Sequence, residues 1–316
     1  MINVYDVIIV GGGAAGMTAG IYTGRKNLKT LIISMDVGGQ TSIPSNIENY
    51  PGFDGINGYE MMMKFQAQAM KWGAEMITGK VKKIDKKKDR TFKVGVTSGE
   101  TYDARAIILA FGKTPLSLGI PGEEKFMGKG VSTCVTCDAP LYRDKTVAVV
   151  GGGNSALGGT WELSSLAKKI YLIHRRDEFR GDEVEVERVK KQDNIDIVLS
   201  HIPIEVKGDQ FVEGLVVEDV NTKKQKTLEV DGVFVEIGFK VDSEFVGHLV
   251  KRNEQKEIIT NLNCETSQPG IFACGDVSDV IFKQTVISAG EGAKAALQCY
   301  HYLSGAKGKV SIDWDH

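Results

Sequence analysis

At 316 residues, 42% of them hydrophobic and 25% charged, the chain has the make-up of a globular protein with room for two cores, which excludes a disordered or fibrous class. Its 39 Lys and Arg nearly balance 41 Asp and Glu, which excludes a general basic field for nucleic acid or an anionic membrane. Five irregularly spaced cysteines are too few for a secreted disulfide scaffold, and the opening apolar run Val7–Val10 is too short for a membrane span and follows no basic leader, so a cytoplasmic protein is expected.

The chain opens with a predicted strand, Val7 to Val10, that runs into Gly11-Gly12-Gly13-Ala14-Ala15-Gly16, a helix-length segment, and a second apolar run, Thr30 to Ile33. This is a βαβ unit with a glycine fingerprint. In such a turn the first glycine bends the chain, the second lets backbone approach a pyrophosphate, and the third lets helix and strand pack closely. Asp36, about twenty residues beyond Gly16, stands where a carboxylate accepts hydrogen bonds from a ribose. Met61, Met62, Met63, Phe65 and Met70 have helical apolar spacing and read as packing. Val81 to Tyr102 reads as a short antiparallel meander whose Lys80–Arg90 stretch is a solvated hairpin, followed by a buried strand in Ala106–Gly112.

Next comes Cys134-Val135-Thr136-Cys137-Asp138. Two residues between sulfurs suit a disulfide at a helix start, where the dipole lowers a thiol pKa, and the remaining cysteines, Cys264, Cys274 and Cys299, supply no second pair at zinc spacing. A redox pair is the reading. Asp138 can either pass protons to a thiolate or serve as a plain helix acid. A second βαβ unit then repeats the first: Val147–Val150, the turn Gly151-Gly152-Gly153-Asn154-Ser155-Ala156, a helix, and Ile170–Ile173. Where the first unit has Asp36, the second has His174-Arg175-Arg176, with Arg180 a turn further on, guanidiniums able to grip a 2′-phosphate in fork geometry. The first fingerprint therefore suits FAD or NAD, the second NADP. Ile195 to Leu228, with a turn at Asn221-Thr222-Lys223-Lys224, reads as another antiparallel meander, and Gly232–Gly238 as a buried strand. The five histidines have no metal-ligand spacing, and no metal is expected.

Taken in order, YDVIIVGGGAAG, GGQ (Gly38–Gln40), IENYPG (Ile47–Gly52), IPGE (Ile120–Glu123), CVTCDAP, GGGNSA, HRRDEFR, IFACGDV (Ile271–Val277) and KQTVISAGEG (Lys283–Gly292) resemble the low-molecular-weight thioredoxin reductases over nearly the whole chain. The resemblance implies an α/β fold of two Rossmann-like, three-layer ββα nucleotide-binding domains, the second inserted into the first: residues 1–115 and 245–316 for FAD, residues 116–244 for NADPH and the cysteine pair. It implies FAD contacts from Gly11, Gly13, Ala14, Ala15, Gly16, Asp36, Gly38, Gly39, Gln40, Asn49, Ala110, Gly275, Asp276, Val277, Lys283, Gln284 and Thr285. Asp276 would hold the ribityl chain, Gln284 and Thr285 would meet the ring, and Asn49 would lie near its reactive edge. NADPH contacts would come from Gly151, Gly153, Asn154, Ser155, Ala156, His174, Arg175, Arg176 and Arg180. The resemblance also makes Cys137 the flavin-proximal sulfur, Cys134 the one that attacks a thioredoxin-like protein, and Asp138 the acid/base, in a homodimer whose domains rotate during the cycle. The chain departs from the family at Gly158-Gly159, where two glutamates are usual, at Phe239-Lys240-Val241-Asp242, where a His-Ser-Pro-Asn-like run is usual, and at Phe111. Three other readings compete: an FAD and dithiol enzyme with a different electron partner, such as oxygen or a non-NADPH donor; a flavoprotein component of a hydroperoxide reductase; and a flavin-binding regulatory protein. His174-Arg175-Arg176 and the intact cysteine pair favour the NADPH-dependent reductase.

Overall fold

The computed structural model describes residues 4–305 except Ser45, Asn46 and Glu48, with the backbone alone at Thr136 and Cys137. The chain forms two units, Met1–Lys113 with Val241–His316, and Thr114–Lys240 between them.

In the first unit β1 (Val4–Val10), α1 (Ala14–Arg25) and β2 (Thr30–Ser34) make the βαβ crossover. Val7 to Val10 and all of β2 are buried, because a β-branched run without alternation belongs in a parallel sheet covered on both faces. Next along the chain, α2 (Gly58–Lys71) is capped by the Asn57 side chain, which accepts from the Glu60 N–H, and buries Met61 and Met62 while Met63 stays exposed. β3 (Glu75–Thr78) then joins the sheet edge, and β4 (Val81–Lys86), β5 (Phe92–Val96) and β6 (Thr101–Leu109) form the antiparallel meander. The parallel order is β3-β2-β1-β6, and the strand Ile271–Ala273 adds to β6 on its far side. The meander's last strand and the expected buried strand are thus one element. β6 starts half-exposed beside β5 and ends at Leu109, enclosed between β1 and Ile271–Ala273. The long helix Thr285–Ser304 crosses α1 so closely that a Cβ on Gly292 would lie 2.1 Å from the Ala15 carbonyl oxygen.

The second unit repeats this plan. β7 (Thr114–Pro115) and α3 (Glu123–Phe126) lead to β8 (Val131–Ser132), then α4 (Val135–Asp138), β9 (Thr146–Val150), α5 (Asn154–Ser164), β10 (Lys169–Ile173), α6 (Glu183–Lys190) and β11 (Ile195–Val198). β12 (His201–Gly208), β13 (Val212–Asp219) and β14 (Gln225–Glu229) are antiparallel, and β15 (Gly232–Val235) returns to the parallel sheet, ordered β11-β10-β9-β15-β8. β16 (Phe239–Lys240) closes back on β7. One expectation is corrected: Ile195–Val198 is a parallel edge strand rather than the opening of the meander, which begins at His201. The crossover through α6 brings the chain back in the direction of β10, and the short Ile-Asp-Ile-Val alternation fits either pairing. Both units thus present the carboxyl ends of a parallel sheet at a glycine-rich turn, the usual ligand position in such sheets.

Candidate active site

In the first unit Gly11, with φ 111°, bends the chain against Ala110: a Cβ there would sit 2.3 Å from the Ala110 carbonyl oxygen. A Cβ on Gly16 would lie 1.9 Å from the Gly11 carbonyl oxygen, so helix and turn touch only because both residues are glycine. α1 starts at Gly13 with neither a side-chain cap nor an acidic residue in its first turn, which keeps its positive end available to an anion. Ser34, at the end of β2, was not singled out by the sequence, yet its buried Oγ accepts the Gly12 N–H at 2.8 Å and fixes the turn.

Around this turn the structure gathers the other candidates of this unit. Gly38 pairs with Gly13 and donates its N–H to the Gly12 carbonyl at 2.8 Å. Asp36 is exposed and accepts the Gly39 N–H at 2.9 Å. Gln40 and Thr41 follow in a short helical turn, and the Thr41 hydroxyl lies 3.4 Å from that of Thr285. The Asn49 amide donates to Gln284 Oε1 at 3.2 Å, while its motif neighbour Glu48 lies outside the described residues. Asp276 accepts from the Ser288 hydroxyl at 3.3 Å, and Glu291 accepts the Gly275 N–H at 2.8 Å. Lys283 donates to the Ser278 carbonyl at 2.6 Å and pairs with Glu257 at 3.1 Å, and Lys113 pairs with the same carboxylate at 2.9 Å. Burial alone would raise the Glu257 carboxyl, but hydrogen bonds from Lys113, Asn253 and Lys283 outweigh it and bring the pKa down to about 2. A glycine turn approached by small residues, an uncapped helix start and side-chain donors nearby is a set that fits a flavin dinucleotide.

In the second unit Gly151, with φ 156°, turns the chain out of β9, and a Cβ on it would lie 2.2 Å from the Glu236 carbonyl oxygen. α5 also starts at an uncapped glycine, Gly153, with no acid in its first turn. Asn154 and Asp182 exchange hydrogen bonds at 2.8 and 3.1 Å, and the Arg180 N–H donates to the Gly152 carbonyl at 2.8 Å, which ties the arginine loop to the fingerprint. Arg175, Arg176 and Arg180 are exposed, and none of the three pairs with a carboxylate among the described residues. His174 is buried and stacked on Phe179 at 5.7 Å, and its Nε2 finds no partner among the described residues. Burial, then Arg175 and Arg176, push its pKa down, so it stands neutral in a basic loop. Free guanidiniums beside an uncapped helix fit a phosphorylated dinucleotide.

Cys134 is disulfide-bonded and precedes α4; the Cys137 side chain lies outside the described residues. The buried Ser132, another residue the sequence did not flag, holds Cys134 from both sides: its Oγ accepts the Cys134 N–H at 3.0 Å and donates to the Cys134 carbonyl at 3.2 Å. The Asp138 N–H donates to the Cys134 carbonyl at 3.3 Å, and the Asp138 charge adds to the rise that burial imposes on Tyr142. Val135, between the cysteines, is buried and packs onto α5 at Gly159, where a Cβ would lie 2.7 Å from Val135 Cγ2; at Gly158 a Cβ meets nothing within 4 Å. One of the two helix glycines thus has a steric reason. Cys264, Cys274 and Cys299 are free and buried in the first unit, and burial pushes their thiols up, as suits inert packing residues. Among the described residues no group of acids, histidines and cysteines is arranged to hold a metal, and no helix is long and apolar enough to cross a membrane.

Two dinucleotide turns, one of them in the same unit as a disulfide, define a nucleotide-dependent disulfide oxidoreductase. The family model described as pyridine nucleotide-disulphide oxidoreductase matches residues 5–292. The chain belongs to that family and is a flavoprotein disulfide reductase. It is 38% identical over 304 residues to a thioredoxin reductase of Rickettsia conorii, covering 94% of this chain and 98% of that one. It is also 38% identical over 300 residues to a component of the Staphylococcus aureus alkyl hydroperoxide reductase, covering 95% of this chain but only 59% of that protein. The crystal structure of Lactococcus lactis thioredoxin reductase superposes with a TM-score of 0.84 at 36% identity, covering 96% of this chain and all of that one.

Proposed function

We propose that the protein is an NADPH-dependent thioredoxin reductase, working in the cytoplasm as a homodimer, with FAD held by the first unit and NADPH by the second. The observation that carries the reading is the joint presence, in one unit, of the Cys134 disulfide and a fingerprint whose arginines lack carboxylate partners among the described residues. The full-length match to thioredoxin reductases favours it over the hydroperoxide reductase component, of which the chain spans little more than half.

When bound, the reduced nicotinamide would supply a hydride and the flavin would accept it and pass two electrons on to the disulfide. The chain's residues bind and orient them: Gly11 to Gly16 and the start of α1 take a pyrophosphate, Asp36 a ribose, and Gly38, Gly39, Gln40, Asn49, Ala110 and Gly275 to Thr285 the rest of FAD. Gly151 to Ala156 take the second pyrophosphate, and Arg175, Arg176 and Arg180, with His174 beneath them, take the 2′-phosphate. In the reduced enzyme the Cys134 thiolate attacks one sulfur of the partner's disulfide and expels the other as a thiolate. The Cys137 thiolate then attacks Cys134 Sγ, which re-forms the enzyme disulfide and releases the partner's second thiolate. Asp138 moves protons to and from the thiolates. The test is NADPH consumption by purified protein with and without a bacterial thioredoxin: turnover should require the thioredoxin, fall to background in Cys134→Ser, and be far slower with NADH. Thioredoxin-independent turnover at the full rate, or wild-type turnover in Cys134→Ser, refutes the reading.

A further inference from the structure

In the first unit, residues 275–285 bring Gly275, Asp276, Gln284 and Thr285 to the flavin site, yet between the turn Gly275–Val277 and the helix that starts at Thr285 they form neither helix nor strand. Such a segment keeps one shape only through bonds to its neighbours. On one side the long helix supplies Ser288 and Glu291, which bond Asp276 and the Gly275 N–H. On the other side lies the stretch from Asn253 to Ile258. Ile258 is fully buried, donates its N–H to the Val277 carbonyl at 2.9 Å and accepts that of Asp279 at 3.1 Å. Next to it, Glu257 is oriented by Asn253, whose amide donates to Oε2 at 2.7 Å and whose Oδ1 accepts the Glu257 N–H at 2.9 Å. Oε1 then receives two ammoniums, Lys113 at 2.9 Å and Lys283 at 3.1 Å. The Lys283 ammonium also donates to the Ser278 carbonyl at 2.6 Å and to the Asp276 carbonyl at 3.4 Å. An ammonium has three hydrogens, and each of these has an acceptor within the protein. Lys283 thus has none left for an oxygen of a bound dinucleotide.

We infer that Glu257 and Lys283 are positioning residues for FAD, a strut that fixes residues 275–285 in the shape the dinucleotide requires before it binds. The inference rests on the reading of the first unit as the FAD domain. Without the Glu257 charge, two largely buried ammoniums lose their shared counter-ion, Lys283 turns toward water, and the Asp276 and Ser278 carbonyls lose their donor. The segment then samples other shapes, and FAD must order it at the expense of its own affinity. Lys113 follows Ala110 by three residues and binds the same carboxylate, so the chain leaving β6 loosens together with the 275–285 segment. The Ile258 backbone bonds do not involve the carboxylate, so the fold persists while the segment loses its fixed shape.

The test uses the full-length protein with FAD bound, diluted serially at pH 7, with released FAD read by its fluorescence. Glu257→Gln and Lys283→Met should each raise the FAD dissociation constant roughly fivefold or more, as expected for the loss of a charge-assisted contact. Glu257→Asp, which keeps the charge on a shorter arm, should fall between wild type and Glu257→Gln, and it carries the comparison should Glu257→Gln not fold. Because the two residues form one strut, the double variant should weaken FAD little beyond either single variant. Asp103→Asn is the control. It removes the 2.6 Å ion pair with Lys87, whose carboxylate is 11% exposed against 13% for Glu257, but at the amino end of the same sheet, where β1 begins. It should lower stability and leave FAD release unchanged. Unchanged release in both Glu257→Gln and Lys283→Met overturns the inference. Weakening by Lys283→Met alone would make Lys283 a direct FAD contact, and independent penalties in the double variant would separate the two residues; either result removes the strut. Equal weakening by Asp103→Asn would reduce the effect to a general loss of stability and likewise overturn it. A wild-type protein that FAD fails to saturate refutes instead the assignment of the first unit to FAD, whatever the variants do.

Discussion

The adjacent glycines of α5 make a sharp internal comparison, because the helix treats them differently. Replacing a glycine in a helix interior by alanine gains about 1 kcal/mol of backbone entropy and propensity. At Gly158 nothing opposes that gain, since a Cβ there meets no atom within 4 Å, so Gly158→Ala should stabilise the protein by about 1 kcal/mol. At Gly159 the same methyl would lie 2.7 Å from Val135 Cγ2 and 3.2 Å from Val135 Cβ, well inside contact distance. Val135 is 3% exposed, so it yields poorly, and overpacking of this kind costs about 1–3 kcal/mol. The net for Gly159→Ala is a loss of up to about 2 kcal/mol, and the two variants should separate by about 1–3 kcal/mol. Urea denaturation of both proteins at one fixed FAD concentration measures the difference. The loss at Gly159 should also appear as slower turnover with thioredoxin, because Val135 links the two cysteines. Equal stabilisation by both alanines would show that Val135 is not pinned on α5, and would remove the steric account of this departure from the family pattern.

Other consequences are equally open to measurement. Replacing Arg175 and Arg176 by alanine should remove two charge-assisted contacts worth about 1.5 kcal/mol each, the low end because both are exposed, raising KM for NADPH roughly a hundredfold and leaving NADH kinetics nearly unchanged; an unchanged KM refutes the 2′-phosphate assignment. Cys137→Ser should trap a thioredoxin lacking its own resolving cysteine as a covalent adduct through Cys134, whereas Cys134→Ser should show a long-wavelength thiolate-to-flavin band; the opposite pattern reverses the roles of the sulfurs. Glu257 contributes stability that is complete above about 4.5 and lost as pH falls toward 2, because its folded pKa is depressed, so Glu257→Gln should be less stable than wild type at pH 7 and the difference should vanish at the acid end; a pH-independent difference counts against the Lys113–Glu257–Lys283 cluster as its source.

Much of the architecture was legible because it rests on local signals. The fingerprints at Gly11 and Gly151 sit between an unalternated apolar run and a helix in both halves, and each opens the parallel βαβ unit that such a pattern demands. What stayed hidden depends on partners far away in sequence. Nothing in Ile195–Val198 says that its neighbour is β10, and nothing in Ala106–Gly112 says that the same strand began at Thr101. The site divides in the same way. Cysteine spacing and glycine motifs carry their own meaning, but Ser34 matters through a turn 22 residues away, and Gly159 through the side chain of Val135. Ser132 is the exception: it is two residues from Cys134, yet a serine before a cysteine is too common a sequence to flag without its two hydrogen bonds in view.

The central claim is that electrons pass from NADPH through FAD to the Cys134/Cys137 pair, and anaerobic titration with NADPH, followed by flavin absorbance, tests it most directly. Wild type should bleach fully and accept two equivalents of NADPH, one for the flavin and one for the disulfide, while Cys134→Ser should bleach with a single equivalent. One equivalent in both proteins would take the dithiol out of the circuit, and a flavin that NADPH fails to bleach would show that the electrons come from another donor.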